Sequence, residues 1–72
     1  MTRIEKIAYI LKSQPNLDER CLEDFPDIPY SKEDLTSMSN KELKEAFQNI
    51  LEAEEITYNL YQAEVIRHGR SE

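Results

Sequence analysis

Apolar residues recur along this chain with a helical period and nowhere alternate as a strand would require. Near the start, Ile4, Ile7, Ala8 and Leu11 fall at i, i+3, i+4 and i+7, one stripe of a 3.6-residue repeat. Thr2 precedes Glu5 by three positions, the spacing of a capping box in which each side chain satisfies the other residue's free backbone donor. Pro15 closes the segment, because the residue before a proline is pushed out of helical geometry. A first helix is expected over about residues 3–13.

The second apolar series is shorter. Leu17, Cys21, Leu22 and Phe25 repeat at helical spacing, with Asn16 as a cap and the acidic Asp18 and Glu19 where the helix dipole favours them. This predicts a helix over about residues 17–24, closed by Pro26. Two prolines then bracket Asp27 and Ile28, which predicts an extended connector over residues 25–30. Ser31 can cap one short turn, with Leu35 and Met38 facing inward.

The last series is the longest. Ser39 and Glu42 form a second capping box, and helix-forming residues then run without proline or glycine to Gly69. Arg67, His68 and Arg70 supply cations to the carbonyl end of that helix. A helix over about residues 40–68 would be roughly 42 Å long. A compact chain of this size has a radius of gyration of about 11 Å and is roughly 29 Å across. The helix therefore breaks near Thr57-Tyr58-Asn59, where propensity is weakest, or projects beyond its own domain.

Two apolar faces run along this helix. One collects Leu43, Ala46, Phe47, Ile50, Thr57, Tyr58, Tyr61 and Val65, the natural seat for the preceding helices. The other, Ala53, Ile56, Leu60 and Ala63, alternates by three and four like a coiled-coil seam, with Ala46 and Asn49 extending it backwards. One reading joins both in the wide core face of a small bundle. The other leaves the second seam for another chain, on the ground that the short first helices cannot cover both. Glu54 falls inside the first face and needs a partner. Arg3, Lys6 or Arg20 of the same chain is one source, and an arginine of another protein is a second.

Composition narrows the function. The chain has 72 residues, so it forms a single small helical domain, 1–72. Such a chain buries only about 60% of its unfolded surface, which leaves little stability to spare. Fifteen acidic residues against nine basic ones give a net charge of −6, which argues against binding a nucleic-acid backbone or an anionic membrane. Residues 45–64 hold five glutamates and no Lys or Arg, and residues 18–34 hold seven acidic residues against Arg20 and Lys32. A solvated face explains such charge, and so does a surface that steers a basic partner into place.

Candidate chemistry is sparse. One cysteine, Cys21, excludes an internal disulfide and sits at an apolar helical position. Glu64 and His68 share one helical turn, but two ligands are too few for a zinc site. Pro26 to Pro29 has PxxP spacing without the flanking basic residue that SH3-type grooves read, so a rigid connector is the simpler account. Ser31 and Ser39 each stand three residues before an acid, which serves a cap as well as an acid-directed kinase. No glycine-rich phosphate loop, Ser-His-Asp set or calcium loop is present. The expectation is an all-α protein, cytoplasmic by default and no enzyme, with no metal and no cofactor. It would act as a small acidic regulator or inhibitor by protein–protein binding, one candidate partner being a basic protein that handles nucleic acid. Glu52, Glu55, Ile56, Leu60 and Tyr61 are the expected partner-binding residues. The alternative is a structural subunit that pairs into a homodimer through its C-terminal helix.

Overall fold

The computed structural model describes residues 1–69, with side chains through residue 64. Four helices follow one another: α1 (Arg3–Ser13), α2 (Glu19–Leu22), α3 (Lys32–Ser37) and α4 (Asn40–Gly69), with a 3-10 turn at Gln14–Asn16. No strand occurs among the described residues.

The local signals for the helix starts are realised. The Thr2 hydroxyl accepts from the Glu5 amide and the Glu5 carboxylate accepts from the Thr2 amide, both at 3.2 Å. The reciprocal pair at Ser39 and Glu42 opens α4, at 3.2 and 3.3 Å. Ser31 caps α3 by accepting from the Asp34 amide at 3.1 Å. For α2 the cap is Asp18, which accepts from the Arg20 amide at 2.8 Å, and the helix is shorter than its apolar spacing suggested. Leu17 is extended (φ −76°, ψ 144°), so Asn16 cannot act as the cap.

α4 is a single helix through Thr57-Tyr58-Asn59, with no break there. At about 1.5 Å per residue its 30 residues span about 45 Å, which accounts for the long axis of a molecule measuring 50 × 23 × 17 Å. α1 lies beside the first half of α4 and runs in the same direction. Its start meets Asn40 through Arg3, its middle meets Phe47 and Glu54 through Tyr9, and Asp18 beyond its end meets Thr57.

The chain then returns towards the start of α4 along the other side. Its two turns carry Ile28 and Tyr30 into the core, so the connector is not simply extended. Gln14 clamps it, donating to the Tyr30 carbonyl at 2.7 Å and accepting from the Tyr30 amide at 2.9 Å. Asn49 donates to the Tyr30 hydroxyl at 3.2 Å.

Both faces of α4 are thus covered from within the chain over its first half. Leu43, Ala46, Ile50 and Ala53 are all buried, with Ile10, Cys21, Ile28, Tyr30 and Leu35 packed around them. Ala53, placed by its spacing in a seam for another chain, is fully buried here. Tyr58 and Tyr61, placed by theirs on the covered face, are instead about three-fifths exposed, at 62% and 61%. The core-facing stripe is centred between the two faces, because α1 approaches from one side and the connector from the other. Val65, Arg67, His68 and Arg70 lie outside the side chains described.

The face of α1 matches its apolar stripe in part. Ile7 and Leu11 of the stripe pack against the core, but Ile10 is the fully buried residue, and Ile4 and Ala8 are exposed. Arg3 and Gln14 lie towards the same neighbours as Ile10 and are engaged in hydrogen bonds. A face that mixes polar and apolar residues shows only weakly in a hydrophobic repeat.

Candidate protein-binding surface

The expected partner-binding residues lie along α4 between Glu52 and Tyr61, but not on one face. Glu52 and Glu55 are exposed, Ile56 is half-buried against the core, and Leu60 is half-buried one turn further on. Tyr61 stands about 100° round the helix from Leu60 and groups with other residues. It lines an open groove of about 380 Å³ together with Ser13, Asn16, Leu17, Glu54, Thr57 and Tyr58.

The groove is built where α1 stops. Pro15 turns the chain aside and Leu17 continues in extended geometry, so one wall is a loop carrying an apolar side chain. Asp18 then ties this loop to α4, its amide donating to the Thr57 hydroxyl at 3.0 Å. The Cys21 thiol donates to the Asp18 carbonyl at 3.0 Å and lies 3.3 Å from the same hydroxyl. Thr57, a weak point by helix propensity, helps to dock the start of α2 onto α4.

Glu54 closes one end. Its Oε1 accepts from the Tyr9 hydroxyl at 2.5 Å, which corrects the expectation of a cation from the first helices. The carboxylate raises the Tyr9 phenol pKa above its ordinary value, chiefly because it accepts the phenolic proton. Tyr9 also packs edge-on against Phe47, with ring centroids 5.3 Å apart. Two of the three expected cations are used elsewhere. Arg3 donates to the carbonyls of Leu35, Thr36 and Met38 at the end of α3 and to Asn40. Arg20 pairs with Asp18 and with Glu64, both at 2.8 Å. The Arg20 side chain, and next its amide, hold the Asp18 carboxyl down at about 2.

A second cleft, of about 420 Å³, lies between the returning connector, α3 and the start of α4. Asp27, Asp34, Glu42 and Glu45 line it with Tyr30 and Met38. It joins carboxylates from the two acidic parts of the chain, a convergence that sequence spacing does not reveal. Leu17 and Tyr58 were missed as surface-site residues. The spacing of Tyr58 and Tyr61, three apart beside a carboxylate, was the available signal. Among the described residues no group of three or more His, Cys, Asp or Glu is arranged to hold a metal ion. Nor is any helix among them long and apolar enough to cross a membrane.

Comparison with known proteins finds no matching family, no matching curated protein and no matching solved structure.

Proposed function

We propose that this protein acts by docking on another protein, as a small acidic regulator or inhibitor, through the part of α4 between Glu52 and Glu64. The observation that carries the reading is the exposure of Tyr58 and Tyr61 within residues 45–64, whose charged residues are all glutamates. Exposed tyrosines offer contact area at low entropic cost, and uncompensated carboxylates favour a basic partner. A protein that handles nucleic acid has such a surface. The reading is of a binding protein in the cytoplasm, not of an enzyme.

The test is capture from the native host's lysate with the wild type and with a Glu52→Lys, Glu55→Lys double variant. The wild type is expected to retain a partner that salt releases and the variant to lose it. Capture that is equal for both proteins, at low and at high salt, removes the electrostatic basis.

Pairing of two copies is the second reading, and Leu60 and Ala63 favour it, since neither is fully covered within the chain. It predicts a particle of twice 8.5 kDa without any added protein. Sedimentation equilibrium of the pure protein separates the two readings.

A further inference from the structure

We propose that the groove between Leu17 and α4 seats a single arginine side chain of a basic partner protein, stacked on Tyr58 and Tyr61 and paired with Glu54. This rests on the docking reading above and names what the partner must present.

The chemistry of the walls sets the choice. Leu17, Tyr58 and Tyr61 are apolar or aromatic, which suits the methylene stem of a long side chain. Glu54 is the carboxylate in this lining, and no Lys or Arg of the described residues lies within ion-pair distance of it. Only its Oε1 takes the Tyr9 proton, so Oε2 accepts no hydrogen bond from the described residues. The Tyr9 bond fixes the carboxylate in orientation without neutralising it, which is the state a guanidinium requires. A guanidinium is planar, stacks on phenol rings and donates in a fork to a carboxylate. An ammonium does the last as a point charge only.

One carboxylate in a lining whose other members are uncharged fits one cation. The Asp27, Asp34, Glu42 and Glu45 cleft is the opposite case, with many charges and no pair of exposed rings, and would not distinguish arginine from lysine. A second copy of this chain would have to supply Arg67 or Arg70, since its Arg3 and Arg20 are engaged within its own fold.

The experiment is an amide-resolved NMR titration of the full chain with N-acetyl tetra-arginine amide and with its tetra-lysine counterpart at low ionic strength. The arginine peptide is expected to shift Leu17, Thr57, Tyr58 and Tyr61 most and to bind about tenfold tighter than the lysine peptide. Glu54→Gln keeps an acceptor for Tyr9 and should keep the melting temperature, yet weaken arginine binding about tenfold. Shifts centred on Asp27, Asp34, Glu42 and Glu45, or equal affinities that Glu54→Gln does not change, overturn the arginine seat and leave the docking reading standing. A dimer of the pure protein that Arg67→Ala with Arg70→Ala dissociates makes the occupant a second copy and also overturns it. If neither peptide binds and charge reversal at Glu52 and Glu55 leaves capture unchanged, the docking reading falls too.

Discussion

Arg3 shows how one half-buried polar side chain can tie two helices together. It donates to the Leu35, Thr36 and Met38 carbonyls at the C-terminal end of α3, where a cation also meets the helix dipole favourably. Replacing Arg3 with Met keeps the stem and removes the donors. It should lower stability by about 2 kcal/mol, the cost of leaving part-buried acceptors without a charged partner. A urea melt with a lower midpoint and an unchanged slope is the expected result. Asp18 contributes to the acid dependence of stability at the same scale. Its folded carboxyl titrates at about 2, against an ordinary 3.8, so the unfolded chain takes up a proton first as pH falls. The stability it contributes is complete above about pH 4 and is lost as pH falls through 2. Thermal melts between those values should show the loss, and Asp18→Asn should flatten it.

Among the elements, α4 organises the others and α1 is held by a face that is part polar. Ile50 and Ile10 are fully buried, whereas Ile4 is 79% exposed although it shares the apolar repeat of α1. Ile50→Ala should cost about 3 kcal/mol through lost burial and the cavity left behind. In a domain of this size the total stability is only about 3–5 kcal/mol, so this variant should be close to unfolded at room temperature. Ile4→Ala should change stability by less than about 0.5 kcal/mol. Denaturant melts followed by circular dichroism compare the two directly. An equal loss at both positions would mean that α1 packs by its apolar stripe after all.

The whole molecule is elongated because a helix of fixed rise outruns the body that covers it. Its radius of gyration is 14.4 Å, where a compact chain of this length would have about 11 Å. The uncovered part of α4 carries the tyrosines, the glutamates and the rest of the second apolar seam, so association belongs to this scale. Leu60 is half-buried, and Leu60→Asp should leave the far-ultraviolet spectrum helical and the melting temperature nearly unchanged. If two copies pair through α4, the same variant should dissociate them, with a cost of several kcal/mol for burying its charge. Sedimentation equilibrium and circular dichroism on this variant read both effects at once. Collapse of the helices would show that Leu60 supports the fold instead.

The local elements were legible because their causes are local. The caps at Thr2, Ser31 and Ser39 and the proline that limits α1 act within a few residues, so spacing alone locates them. The length of α4 followed in the same way from uninterrupted helix formers. Faces were harder to read, since which side of a helix is buried depends on what arrives against it. The apolar period of α4 contained two candidate faces. Only the return of Ile28 and Tyr30 along one side, opposite α1 on the other, buried Ala53, while Tyr58 and Tyr61 are exposed because they lie beyond the stretch of α4 that these segments cover. Polar members of a buried face, Arg3 and Gln14, were invisible to a hydrophobic count because their value lies in carbonyls and amides brought near from distant parts of the chain. The groove beside Leu17 has the same origin. Its residues span positions 13–61, and nothing in their spacing brings them together until Asp18 is tied to Thr57. The sequence by itself determined the helices, their starts and the surplus of negative charge. Tertiary packing decided which faces are dry and where a groove opens, because burial is a property of pairs of segments and not of either one alone.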